Sequence, residues 1–127
     1  MGSDGLMVGE RPHPRAWGTF ARFLGRYVRE FGVISLEECV RKMTSLPARR
    51  LGLNDRGTVQ TGMAADLVVF DPDTVCDTAT YEEPKSFPEG MPYVIVNGQV
   101  VKDAGRQTGM LAGRVLRSHN ADSQTHP

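Results

Sequence analysis

The chain has 127 residues, 39% hydrophobic and 24% charged, which suits one ordinary globular domain or a piece of a larger one. Lys plus Arg and Asp plus Glu both number 15, so the net charge is zero and no overall basic field exists to hold nucleic acid or an anionic membrane. Apolar runs of a few residues exclude a bilayer span, and the first residues lack the basic-then-apolar order of a signal peptide.

Met1 to Pro14 is rich in Gly and Pro and has no periodicity, so it reads as irregular backbone. Such a beginning is expected of a chain cut from a longer parent. Arg15 to Leu53 reads as helical. Trp17, Phe20, Phe23, Leu24, Tyr27, Val28 and Phe31 recur at steps of three and four, an apolar stripe that Gly32 ends as the left-handed cap residue. Ser35 and Glu38 form the pattern of a capping box at the start of a second helix, whose apolar face is Leu36, Cys39, Val40 and Met43. Pro47 interrupts it, and Ala48 to Leu51 adds one turn before Gly52.

Gly57 to Gly105 reads as β-rich. Asp66-Leu-Val-Val-Phe-Asp71 predicts a short buried strand before Pro72. Tyr93 to Val96 and Gln99 to Lys102 flank Asn97-Gly98, a strong hairpin signal. Thr74 to Pro92 is a long irregular connection. Gly109 to Arg117 is short and basic, and Ser118 to Pro127 reads as a polar, disordered tail. Three short strands cannot close a barrel or build a sandwich alone, and the aromatic helix face needs a partner surface.

Single residues carry little chemistry here. Asp4-Gly5 is an ordinary turn pair, and His13 between two prolines reads as a loop histidine. Arg11, Arg15, Arg22, Arg26 and Arg29 read as a solvated basic face, with Arg15 at the junction of loop and helix. Cys39 and Cys76 lie far apart, outside any metal-ligand spacing, and read as reduced thiols of a cytoplasmic protein.

The order of segments says more. Asp4-Gly-Leu, Arg11-Pro-His-Pro-Arg15 and Gly18-Thr-Phe20 lead into the first helix. Gly57-Thr-Val-Gln-Thr-Gly62 then precedes Ala65-Asp-Leu-Val-Val-Phe-Asp-Pro72, and Val96-Asn-Gly98 and Gly113-Arg-Val-Leu-Arg117 follow. From Gly2 to Arg117 this series resembles the C-terminal part of the amidohydrolase superfamily, in its N-acyl-D-amino-acid deacylase (D-aminoacylase) branch. The string from Gly57 to Pro72 is widely shared in the superfamily, whereas the first group is much narrower.

The resemblance implies an α+β fragment: the last helical part of a TIM-like (β/α)8 barrel, followed by the C-terminal strands of a small β-sandwich. On this mapping residues 1–53 hold the end of barrel strand 8, an active-site loop and the C-terminal helices. Residues 54–117 are the sandwich share, and 118–127 the tail. Asp4 falls at the C-terminal end of a barrel strand, where such folds place their chemistry. The resemblance makes Asp4 the general base and acid of amide hydrolysis, in contact with a zinc-bound water or at most a weak second metal site. It makes Arg15, with its forked guanidinium, the group that holds a substrate α-carboxylate. His13 lines the same pocket, and Leu6 to Glu10 form a loop over it.

The implied parent is a zinc-dependent hydrolase that cleaves N-acyl-D-amino acids to a carboxylate and a D-amino acid. The superfamily's other metal ligands do not occur in this sequence, and a zinc site needs at least three protein ligands. The chain alone is therefore expected to bind zinc weakly at best and to be inactive, with the missing N-terminal part of the parent as its partner. A non-catalytic module that docks on another chain stays open as an alternative. So does a cyclic-amide hydrolase of dihydroorotase or hydantoinase type, although the Arg-Pro-His-Pro-Arg string favours an open-chain substrate.

Overall fold

The computed structural model describes residues 1–116, so Arg117 and the expected tail from Ser118 onward lie outside the described residues. An irregular N-terminal segment runs to Pro14. Three helices follow: α1 (Arg15–Arg22), α2 (Leu36–Met43) and α3 (Ser45–Arg50). A four-stranded antiparallel sheet comes last, with β1 (Leu67–Val69), β2 (Tyr93–Val96), β3 (Gln99–Asp103) and β4 (Arg106–Gln107) in sequence order.

The first helix changes its winding. After Arg22 the backbone continues as a π-helix over Phe23–Glu30, with wide bonds such as Phe31 N–H to Arg26 O at 2.9 Å. Gly32 ends it at φ +59°, the conformation expected of a cap glycine. The apolar stripe divides. Leu24 is buried with Ala21, Phe23 and Val28 pack against them, and Phe20, Tyr27 and Phe31 stay exposed. Tyr27 touches the rings of both Phe23 and Phe31.

Ser35 accepts the Glu38 N–H at 3.2 Å and caps α2. Glu38 does not reach back to complete the box; its carboxylate turns forward to Arg41. The break before α3 falls at Thr44 (φ −126°, ψ −88°) rather than at Pro47. Pro47 sits in the first turn of α3, where no intrahelical acceptor awaits its missing N–H.

The hairpin between β2 and β3 turns at Asn97 (φ 48°) and Gly98 (φ 79°), the paired left-handed conformation of a tight two-residue turn. Asp66 fixes its tip by accepting the Asn97 N–H at 2.7 Å, and the same carboxylate is paired with Arg56. The run from Asp66 gives an edge strand of three residues, and Val68 and Val69 are half exposed rather than buried. Its outer side has no neighbouring strand among the described residues. The sequence reading missed β4, which a second tight turn at Ala104-Gly105 folds back on β3.

The core is small. Ala21, Leu24, Cys39 and Val75 are buried together, ringed by Ile34, Leu36, Val40, Met43, Phe70 and Met91. Val75 enters from the connection between β1 and β2, which therefore has a fixed course. A Cβ on Gly25 would lie 2.6 Å from the Val75 carbonyl oxygen, and one on Gly18 would lie 2.9 Å from Asp77 Cβ. Arg29 donates to the carbonyls of Val75 (2.8 Å) and Pro72 (3.0 Å), and Arg22 pairs with Asp77 at 2.7 Å. The predicted solvated basic face is thus partly a clamp: two of its arginines hold residues 72–77 on the helix.

This close approach reverses a usual sign. Replacing a helical glycine by alanine ordinarily stabilises by about 1 kcal/mol. At Gly25 the new methyl meets backbone, and overpacking of this kind costs roughly 1–3 kcal/mol. Gly25→Ala is therefore expected to lower the urea midpoint of unfolding; a raised midpoint would disprove the contact.

Candidate functional site

The N-terminal segment is seated by Gly5, at which a Cβ would lie 2.8 Å from Ala16 Cα, so the chain passes directly over the first turn of α1. Gly5 N–H donates to Ser3 Oγ at 3.2 Å. Between them Asp4 has φ 49°, a left-handed conformation uncommon for a residue with a side chain. Its carboxylate is 85% exposed and meets the Arg15 guanidinium, Nη2 to Oδ2 at 3.0 Å. Asp4 is the one polar partner of that guanidinium among the described residues, so its other N–H groups remain available as donors.

His13 lies where loop becomes helix. Its Nδ1 accepts the Arg15 backbone N–H at 3.1 Å, one of the first-turn donors that have no partner within a helix. An accepting Nδ1 carries no proton, so the ring's hydrogen sits on Nε2. Nε2 lies 2.9 Å from the Tyr81 hydroxyl, which accepts that hydrogen. The two rings also meet edge to face, with centroids 5.1 Å apart. Asp4, His13 and Arg15 are thus brought to one corner of the molecule, and Tyr81 joins them from the β1–β2 connection.

Behind this corner a cavity of about 440 Å³ is lined by His13, Arg15, Thr19, Arg22, Asp77 and Tyr81, with other residues of the same two segments. The Asp77 carboxylate, by its hydrogen bond, raises the Arg22 guanidinium above its already high ordinary value. That pair is a neutral wall, which leaves Arg15 as the cation turned to Asp4. Leu6, Met7 and Val8, just beyond Asp4, are exposed apolar side chains.

The sequence reading singled out Asp4, His13 and Arg15 and missed Tyr81, Asp77 and Arg22. No local signal marks the latter group, since Tyr81 lies 68 residues from His13 and Asp77 lies 55 from Arg22. Neither cysteine joins the site. Both are unpaired, and burial pushes the Cys39 thiol above its ordinary value. Among the described residues no group of three or more His, Cys, Asp and Glu could hold a metal ion, so Asp4 stands as a single carboxylate donor.

Residues 1–102 match the amidohydrolase family. D-aminoacylase of Alcaligenes xylosoxydans xylosoxydans is 56% identical over 116 residues, which cover 91% of this chain and 24% of that protein. A crystal structure of D-aminoacylase superimposes with a TM-score of 0.87 at 55% identity, over 90% of this chain and 24% of that one. N-acyl-D-glutamate deacylase of Bordetella bronchiseptica, solved with zinc and a phosphonate mimic of the tetrahedral intermediate, gives 0.77 at 53% identity, over 84% and 23%. The chain spans about a quarter of the length of the relatives it matches. With the family match covering the Asp4–Arg15 corner and the sheet as far as β3, this chain belongs to the amidohydrolase family.

Proposed function

We propose that this chain supplies the C-terminal quarter of a zinc-dependent N-acyl-D-amino-acid deacylase and contributes two of its active-site residues, Asp4 and Arg15. The observation that carries the reading is the Asp4–Arg15 pair at the loop–helix junction, a proton-transfer group beside a carboxylate-binding group. Within such an enzyme, residues 1–53 would complete a TIM-like barrel from the end of strand 8. Residues 54–117 would be the C-terminal share of a β-sandwich. The half-exposed β1, with no strand on its outer side among the described residues, fits that incomplete sheet. Two unpaired cysteines fit a cytoplasmic enzyme.

One carboxylate falls short of the three protein ligands that a catalytic zinc site needs. Zinc would therefore be held chiefly by residues outside this chain. Zinc in such a site would supply a water of lowered pKa. Asp4 takes the proton from the attacking water and then delivers it to the nitrogen of the departing amine. Both transfers are needed, because an amide anion is a very poor leaving group. Arg15 keeps its ion pair with Asp4 and offers the N–H groups of its fork to the substrate's α-carboxylate. Its position at the start of α1 adds the favourable field of a helix N-terminus for an anion. His13, whose Nδ1 already accepts the Arg15 N–H, shapes the pocket rather than the proton transfer.

The whole reading is tested by exchange: this chain replaces the matching quarter of the Alcaligenes D-aminoacylase. The chimaera should release D-methionine from N-acetyl-D-methionine in the presence of zinc, and the chain alone should not. A folded, zinc-loaded chimaera without turnover of any N-acyl-D-amino acid would refute the proposal, as would turnover by the chain alone.

In that enzyme Asp4→Ala should cost about 10²–10⁴-fold in kcat with zinc retained. Near-normal kcat would remove Asp4 from the proton-transfer role.

Arg15→Ala should lower kcat/KM toward N-acyl-D-amino acids by about ten- to a hundred-and-fifty-fold, the equivalent of a charge-assisted pair worth roughly 1.5–3 kcal/mol. Arg15→Lys should not restore it, because lysine keeps the charge and loses the fork. An analogue with a neutral group in place of the carboxylate should lose much less, since it feels only the altered hold on Asp4. Equal losses for acid and neutral analogue would make Arg15 structural.

A further inference from the structure

The connection between β1 and β2 is hydrogen-bonded to His13, beside the Asp4–Arg15 corner, through Tyr81. This side chain is 69% exposed, so apolar burial does not account for its position. A hydrogen bond does: its hydroxyl meets His13 Nε2 at 2.9 Å, and the opposite nitrogen of the same ring accepts the Arg15 N–H at 3.1 Å. The imidazole is therefore fixed at both ends, and one of those ends is the backbone from which Arg15 projects.

We infer that Tyr81 is a positioning residue for the substrate clamp, acting through His13 to fix the start of α1 and with it the Arg15 guanidinium. This rests on the reading of Arg15 as the group that holds the α-carboxylate. The arm that carries Tyr81 is itself held. Asp77 is tied to Arg22 at 2.7 Å, and Gly18 admits the Asp77 side chain against the helix. Past Asp77 a tight turn forms, in which Thr80 N–H donates to Glu83 O (3.2 Å) and Glu83 N–H donates to Thr80 Oγ1 (3.0 Å). Tyr81 lies inside that turn, so its hydroxyl is presented to His13 from a fixed backbone. Without it, His13 keeps its bond to the Arg15 N–H but loses the partner that sets its ring plane. The start of α1 then gains freedom at the residue whose direction matters most for a two-pronged hold on a carboxylate.

The test is Tyr81→Phe in the chimaeric enzyme, a substitution that removes one oxygen from an exposed ring and spares the fold. KM for N-acyl-D-amino acids should rise roughly two- to tenfold, the range of one lost neutral hydrogen bond, with kcat retained. KM for the analogue that lacks the carboxylate should not move. In a His13→Ala background the same substitution should have no further effect. An unchanged KM for the acid overturns the inference, and so does an equal change for acid and neutral analogue. Arg15→Ala, measured beside it, locates the failure. If Arg15→Ala distinguishes the two substrates and Tyr81→Phe does not, the clamp stands and the role of Tyr81 falls. If Arg15→Ala treats both alike, the clamp itself falls.

Discussion

Residues 72–77 lie with their backbone directly on the first helix, and most of what gives the described structure its shape follows from that approach. Two glycines make it possible: at Gly25 a Cβ would stand 2.6 Å from a carbonyl oxygen, and at Gly18 one would stand 2.9 Å from a side chain. Two arginines then close over the segment, Arg29 on the carbonyls of Pro72 and Val75 and Arg22 on Asp77. Backbone carbonyls brought against a helix need donors, and the guanidiniums supply them at the rim, where their stems can also cover apolar surface. Val75 is thereby driven to complete burial among Ala21, Leu24 and Cys39.

The same contact links the sheet to the site. The segment that fills the core at Val75 continues through Asp77 to Tyr81, four residues on, and Tyr81 meets His13 beside Arg15. A change in how the segment seats on the helix would therefore reach the Asp4–Arg15 corner without touching either residue. In the proposed enzyme the barrel part and the sandwich part would be coupled at the substrate pocket itself, through hydrogen bonds rather than through broad apolar packing.

The apolar surface points the same way. Phe20, Tyr27 and Phe31 of the first helix remain exposed, as do Val68, Val69 and Val100 in the sheet. A core built around four small or medium side chains is slight for a chain of this length, and large exposed apolar faces usually mark contact with further protein. The relatives that this chain matches are about four times as long.

Much of the local structure was legible in the sequence, because it depends on neighbours a few residues apart. Ser35 caps α2, Gly32 ends the first helix and Asn97-Gly98 turns the hairpin, each as its residue type requires. The narrow Asp-Gly and Arg-Pro-His-Pro-Arg strings pointed to Asp4, His13 and Arg15 and to the family. Tertiary structure decided the remainder. The basic stripe is part clamp, at Arg22 and Arg29, and part surface, a distinction that depends on whether Val75 and Asp77 arrive beside it. The strand from Asp66 looked buried by its valines, yet its exposure was set by the neighbours it lacks. Tyr81 stood in a stretch without periodicity, and its role comes from a hydrogen bond across 68 residues. Periodicity and capping are written in the order of neighbouring side chains, whereas that bond is written in the course of the backbone between Phe70 and Tyr93, which the Gly25 and Gly18 contacts fix only after the chain has folded.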